Sequence, residues 1–374
     1  MLIGVPREQY PGERRTAMIP ANVTKLTRAG ADVLVEAGLG LGAGFSDQEY
    51  QEAGARVTQD RNEVLGSADI IARIHKPEID EVSTLKRGAI HISYLDPFNE
   101  HALIDAFKDA GITAISMEMI PRTTRSQKMD ALSSQANLAG YVMTLMATQK
   151  LPRILPMMMT PAGTLKPANV FIIGAGVAGL QAIATARRLG AKVVAFDTRS
   201  VVAEQVQSLG AKFLDIDLGE TGQTKDGYAV QLTPEQLELQ KQGQAKQIAE
   251  SDILITTAQL FGRKPPLLVT KDMVAGMKPG SVIVDMAQGN VEGTVPGETV
   301  DVNGVTIIGD GNWSNFVPRD ASQMYSANIF NLIDEFWQTE EKAFNLDFED
   351  DILQGCVITH GGDIVNETIK NLAR

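Results

Sequence analysis

Val170-Phe-Ile-Ile-Gly174-Ala-Gly176-Val-Ala-Gly179-Leu-Gln-Ala-Ile-Ala-Thr-Ala decides the fold. A short apolar run leads into a GxGxxG, and a helix-compatible stretch follows through Leu189. A second run, Lys192-Val-Val-Ala-Phe196, ends in Asp197, 23 positions beyond Gly174. Strand, glycine turn, helix, strand and acidic residue at this spacing form the dinucleotide fingerprint. Gly174 makes the tight turn, Gly176 lets a pyrophosphate approach the backbone, and Gly179 allows close helix–strand packing. Val177, Ala178 and Gly179 open the helix, where free N–H groups and the helix dipole favour phosphate. Asp197 is placed to accept the adenosine ribose hydroxyls, and its charge repels a 2′-phosphate, favouring NAD over NADP. Thr198 and Arg199 join the nucleotide-binding candidates, and an arginine at this place can also accept a 2′-phosphate.

Around this unit, strand-like and helix-like runs alternate. Lys212–Leu214, Asp252–Thr256, Ser281–Asp285 and Val305–Ile308 continue the pattern downstream. Thr256-Thr257-Ala258, with Gln259 next, closes one of these strands. These residues either face the nicotinamide ribose or simply terminate the strand. Upstream, Leu2–Val5, Asp32–Glu36, Ile70–Ile74, Ala89–Ser93 and Thr113–Ser116 read as strands. Asn22–Arg28 and Pro97–Ala110 have helical spacing, each with a glycine stop close behind. The alternation predicts an α/β protein of two Rossmann-like, doubly wound parallel-sheet domains with a cleft between them. Ser133–Lys150 is an uninterrupted helix-compatible crossing. Gln323–Trp337 reads as a helix and Gly355–Thr359 as a strand, returning the tail to the first domain. The expected division is 1–132 plus about 323–374 against 133–322.

From Gly219 to about Gln247 the chain is long, polar and rich in glutamine. Such loops are usually functional or disordered. Its end, Pro234–Glu250, can form a polar helix.

Composition narrows the function classes. Of 374 residues, 44% are apolar and 21% charged, with a net charge of −12. That balance repels nucleic-acid phosphate and anionic lipid, so no nucleic-acid partner is expected. No apolar run is long enough to insert into a bilayer. The first residues read as a strand rather than a signal peptide. The single cysteine, Cys356, fits a reducing, cytoplasmic compartment. It shares no metal-like spacing with His75, His91, His101 or His360, and no metal is expected.

Pro121-Arg122-Thr-Thr-Arg125-Ser-Gln127-Lys-Met-Asp130-Ala-Leu-Ser133 is a second polar constellation. Arg122 and Asp130 can pair, and Gln127 offers uncharged donors and an acceptor. Asp130 or Ser133 can equally serve as a helix N-cap. No histidine or lysine stands out beside the fingerprint as the proton carrier an alcohol or amine dehydrogenase needs. Hydride transfer between two nicotinamides needs none.

Over nearly its whole length the chain resembles the NAD(H)-binding component, domain I, of proton-translocating nicotinamide nucleotide transhydrogenase, and more distantly alanine dehydrogenase. Val5-Pro-Arg-Glu with Pro11-Gly-Glu-Arg-Arg15 resembles both families. Met129-Asp-Ala-Leu-Ser-Ser-Gln-Ala-Asn-Leu-Ala-Gly-Tyr141, Met157-Met-Met-Thr-Pro-Ala-Gly-Thr164 and the fingerprint run resemble the transhydrogenase form. The resemblance implies that Arg122, Gln127, Asp130 and Ser133 serve the nicotinamide end. It implies that Gly227 and Tyr228, in Asp226-Gly-Tyr-Ala229, belong to a lid over bound nucleotide, and that Asn312 is retained. It implies a homodimer at the inner face of the cell membrane, partnered by membrane-spanning and NADP(H)-binding components. Hydride would pass from NAD(H) to NADP(H) on the partner, coupled to proton translocation. The alternatives are an alanine-type amino-acid dehydrogenase and a non-catalytic NAD(H)-binding protein. Against the first, the alanine dehydrogenase substrate arginine has a match in Arg15, but its catalytic lysine and histidine fall at His75 and Asp96. Two loops depart from the transhydrogenase pattern: Met286-Ala-Gln288-Gly-Asn290 lacks an acidic residue, and Gly309-Asp-Gly-Asn312-Trp-Ser lacks the usual His and Pro.

Overall fold

The computed structural model describes residues 1–219, 221–222, 229–259 and 262–372. Gly227 and Tyr228, the expected lid residues, lie outside the described residues. The chain divides into two units, 1–135 with 317–374, and 136–316. The boundaries therefore fall at 136 and 317 rather than 133 and 323. The first lies inside the long helix Ala131–Lys150, and the second falls just before the helix Pro318–Glu335.

In the first unit, β1 (Leu2–Val5), β2 (Asp32–Glu36), β3 (Arg56–Thr58), β4 (Ile70–Ala72), β5 (Ile90–Ser93) and β6 (Thr113–Ser116) are parallel, in spatial order β3-β2-β1-β4-β5-β6. In the second, β7 (Met158–Thr160) and β8 (Gly163–Leu165) form an exposed hairpin. The second sheet then holds β9 (Asn169–Ile173), β10 (Lys192–Phe196), β11 (Lys212–Phe213), β12 (Ile253–Thr256), β13 (Val282–Asp285), β14 (Thr299–Val302) and β15 (Val305–Ile308). Its order is β11-β10-β9-β12-β13-β15-β14, parallel except for the edge strand β14. The tail adds a small hairpin, β16 (Trp337–Gln338) with β17 (Ala343–Phe344), to the first unit. It then adds β18 (Val357–His360) and β19 (Asp363–Ile364), which extend the first sheet antiparallel beyond β6.

Both sheets are doubly wound, so their central strands are buried on both faces and read as near-continuous apolar runs. In β9, Val170 and Ile172 pack into one core, while Phe171 and Ile173 pack into the other. In each unit the chain leaves the first strand in one direction and later returns on its other side. This creates a switch point between β1 and β4 and another between β9 and β12, where ligands bind in such sheets.

Some elements differ from the expected spans. Val357, not Gly355, begins β18, because Gly355 and Cys356 still belong to the helix Asp351–Cys356. Asn366 Nδ2 donates to the Gln354 and Gly355 carbonyls at that helix end. A Cβ on Gly355 would fall 2.4 Å from Pro121. The helix expected from Pro97 starts at His101, because Asp96 at φ 51° turns the chain first. The polar helix spans Pro234–Glu250, with Thr233 and Gln236 forming a capping box.

Candidate functional site

The glycine loop follows β9 at the switch point of the second unit. Gly174 has φ 100°, and a Cβ there would sit 2.4 Å from Thr257 Oγ1. A Cβ on Gly179 would fall 1.9 Å from the Gly174 carbonyl oxygen, so this helix turn touches the loop directly. A Cβ on Gly176 would meet nothing within 4 Å. Gly176 caps the helix Val177–Arg188 without any side-chain cap bond. The first intrahelical bond runs from Leu180 N to Gly176 O, so the N–H groups of Val177, Ala178 and Gly179 come before it. Open space before uncapped amides at the positive end of a helix fits a pyrophosphate.

The helix Ala131–Lys150 packs on the same turn. A Cβ on Gly140 would fall 2.2 Å from the Ala178 carbonyl oxygen.

Asp197 follows β10, and its carboxylate is heavily engaged. Oδ2 accepts from Ala175 N at 2.7 Å, tying the acid to the glycine loop. Oδ1 accepts from Arg199 N at 2.8 Å. Arg199 Nε and Nη2 donate to Oδ1 and Oδ2 at 2.9 and 2.8 Å. The hydrogen bonds that Arg199 donates to Asp197 raise the Arg199 pKa above its ordinary value. Thr198 offers its carbonyl to Thr221 Oγ1 at 2.6 Å.

At the end of β12, Thr257 Oγ1 donates to the carbonyls of Ile173 and Gly174 at 3.3 and 3.2 Å. Its hydroxyl therefore braces the glycine loop. Ala258 is clamped by Asn290, whose Oδ1 accepts from Ala258 N while Nδ2 donates to Ala258 O. Gln259 is exposed. The two divergent loops are tied together here. Gln288 Nε2 donates to the carbonyls of Gly309 and Asp310 at 2.8 and 3.1 Å, and Trp313 Nε1 to Met286 O at 3.3 Å. Asn312 is half-buried in the second of these loops, and its backbone N–H bonds the Asp310 carboxyl. Burial raises that carboxyl despite the bond.

In the first unit, Pro121, Arg122, Ser126, Gln127, Asp130 and Ser133 line one cavity of about 330 Å³. Asp130 is a helix cap: Oδ1 accepts from Ser133 N at 2.8 Å and Oδ2 from Ser133 Oγ at 2.5 Å. The Arg122 guanidinium stands 3.8 Å from the same Oδ2. Pairing and capping thus coexist on one carboxylate.

At the switch point of this unit, His75 and Arg15 share one acid. Arg15 Nε and Nη2 donate to Glu13 Oε1 and Oε2 at 2.8 and 2.7 Å, Nη1 donates to Gln135 Oε1 at 2.9 Å, and His75 Nε2 lies 2.6 Å from Glu13 Oε2. Glu8 receives Ile74 N and His75 N, while Glu118 receives Leu95 N and Asp96 N. Burial raises both acids above their ordinary values. Sequence reasoning missed the grip of Glu13 on Arg15; the acidic residue two positions before the arginine was the available signal. Among the described residues, no cluster of histidine, cysteine and carboxylates could hold a metal. None of their helices is long and apolar enough to cross a membrane.

Comparison with known proteins covers both units. Residues 4–139 match the family model for the N-terminal domain of alanine dehydrogenase/PNT, and residues 143–367 match its C-terminal domain. The chain is 40% identical over 379 aligned residues to the first part of NAD(P) transhydrogenase subunit alpha of Rhodospirillum rubrum, covering 99% of each. It is 32% identical to alanine dehydrogenase of Bacillus subtilis, over 86% of this chain and 82% of the relative. A solved transhydrogenase from Sinorhizobium meliloti superposes with a TM-score of 0.87 at 43% identity, over 98% of this chain and 100% of that one.

Proposed function

The chain belongs to the alanine dehydrogenase/PNT family, and on that premise we propose that it is the peripheral NAD(H)-binding subunit of a proton-translocating NAD(P) transhydrogenase. The observation that carries this reading is the end-to-end match to the Rhodospirillum rubrum subunit alpha chain, at 99% of both. The glycine loop, the uncapped helix turn and Asp197 are the residues that would hold the ADP half. The family resemblance assigns Arg122, Gln127, Asp130 and Ser133 to the nicotinamide end. NAD(H) supplies or accepts the hydride when bound, and NADP(H) on a partner component is the other participant. This chain's own task is positioning, since no proton moves with a hydride passed between two nicotinamides.

The first unit supports this over an amino-acid dehydrogenase. The only described partner of the His75 ring nitrogens is Glu13, and Glu13 also occupies the Arg15 fork. A homodimer is supported by the exposed hairpin β7–β8, which presents Met157, Met158, Met159 and Leu165 to solvent. Large exposed apolar side chains in one place mark interaction surfaces. In this reading the subunit works at the cytoplasmic face of the membrane, beside membrane-spanning and NADP(H)-binding components.

The test mixes the purified chain with an NADP(H)-binding transhydrogenase component and follows NADH-dependent reduction of NADP. Transfer that needs both proteins is expected. NADH oxidation by the chain alone with pyruvate and ammonia would establish the amino-acid dehydrogenase instead. Binding of NADH without transfer in either assay would leave a non-catalytic binding protein.

A further inference from the structure

An ionised carboxylate has about four acceptor sites. On Asp197 four donor contacts already fill them: Ala175 N, Arg199 N, Arg199 Nε and Arg199 Nη2, at 2.7 to 2.9 Å. The first two are backbone groups fixed by the glycine loop and by the turn after β10. The other two come from a side chain that can swing away. The pair is mostly shielded, with 13% of the Arg199 side chain and 6% of the Asp197 side chain exposed. A ribose hydroxyl can therefore reach Asp197 only by displacing the Arg199 guanidinium.

We propose that Arg199 and Asp197 form a latch that sets nucleotide selectivity, each holding the other away from the ligand it would otherwise take. This rests on the nucleotide reading above. Arg199 closes the ribose-binding acid in the free protein, so each hydroxyl contact is gained only against a charge-assisted bond that must be given up. Asp197 in turn sequesters the cation that could pair with a 2′-phosphate. Opening for NAD(H) exchanges the guanidinium for hydroxyl donors. Opening for NADP(H) would set a dianionic phosphate beside the Asp197 carboxylate, which repels it.

Two sets of titrations test the latch. In the first, ADP and 2′-deoxy-ADP are titrated into wild type and Arg199→Met by calorimetry. The affinity ratio between the two probes isolates the hydroxyl, because their diphosphates respond alike to the lost charge. The ratio should rise about five- to tenfold in Arg199→Met, the scale of one charge-assisted bond no longer displaced. An unchanged or smaller ratio overturns the latch. Arg199→Lys, with a point donor in place of the fork, gives the same direction with a smaller rise should the methionine variant fold poorly. In the second, Asp197→Ser should gain affinity for NADPH relative to NADH, and the double variant Asp197→Ser/Arg199→Met should lose that gain. A gain that persists in the double variant also overturns the proposal. Wild-type titration with NADH separates the two levels. Absence of binding removes the nucleotide reading itself, whereas binding with unaltered hydroxyl discrimination removes only the latch.

Discussion

His75 and Glu13 meet at 2.6 Å, Nε2 to Oε2, and the same carboxylate is forked by Arg15. The Glu13 side chain is fully buried and that of Arg15 is 5% exposed. Removing one partner of such a pair strands a charge and costs about 3–5 kcal/mol. Glu13→Ala should therefore destabilise the first unit by about that amount in urea unfolding. Glu13→Gln, which keeps an acceptor for Arg15, should cost less. Equal losses would show that the charge alone matters and that the shape and acceptor retained in Glu13→Gln contribute nothing.

The same acid sets part of the pH dependence. Burial alone would raise the Glu13 pKa, but the hydrogen bonds from Arg15 and His75 outweigh it and hold the carboxyl well below its ordinary 4.5. A depressed folded pKa stabilises the protein fully above the unfolded value, and that contribution fades as pH falls below it. Glu8 and Glu118, raised by burial, act in the opposite sense and soften the loss. Between about pH 5 and pH 3, wild type should lose more stability than Glu13→Gln. Parallel curves for the two proteins would exclude Glu13 as the source.

The fingerprint glycines separate folding from binding. A methyl on Gly176 meets no atom within 4 Å, whereas on Gly179 it meets a carbonyl oxygen at 1.9 Å. Gly176→Ala should melt like wild type yet bind NADH about tenfold more weakly or worse, because the methyl takes pyrophosphate space. Gly179→Ala should lose about 1–3 kcal/mol of stability from overpacking. Thermal melts and NADH titration read the two effects, and a stable, tight-binding Gly176→Ala would contradict the proposed phosphate path.

Asp130 has a capping role and a proposed role at the nicotinamide end. Asp130→Ala should cost about 1 kcal/mol through the lost cap on Ser133. Asp130→Asn keeps an acceptor for Ser133 N and should melt close to wild type. With the partner component present, Asp130→Asn should still slow hydride transfer by about tenfold or more, the usual scale for a lost charged group at a reacting centre. Undiminished transfer would confine Asp130 to capping.

The methionine hairpin bears on assembly. Met158→Asp with Met159→Asp places two charges on a surface where those residues are 46% and 75% exposed. Sedimentation velocity should show a dimer for wild type and a monomer for the variant, with both folded by circular dichroism. A monomeric wild type would remove the homodimer from the reading.

Much of the second unit was legible in the order of residues. The strand at β10, the switch to a helix at Val177 and the polar helix Pro234–Glu250 follow from local rules: apolar period, glycine turns and a capping box. Each acts over a few residues, so neighbours along the chain suffice to specify it. The second site was legible as a polar loop in which Asp130 could pair with Arg122 or a residue such as Asp130 could cap the helix, but not which, because a cap and an ion pair draw on the same residue types. Only three-dimensional packing put both on Asp130.

The fingerprint from Val170 to Asp197 by itself determined a Rossmann strand–turn–helix–strand unit, because turn geometry and strand length are short-range properties. Tertiary structure alone decided that β18, which begins at Val357, returns antiparallel beside β6, which ends at Ser116. It alone decided that Glu13 occupies Arg15 and that Arg199, with Ala175 N, fills the acceptor sites of Asp197. These are choices among competing partners for one charged group, settled by which donors the fold brings within about 3 Å and shields from water.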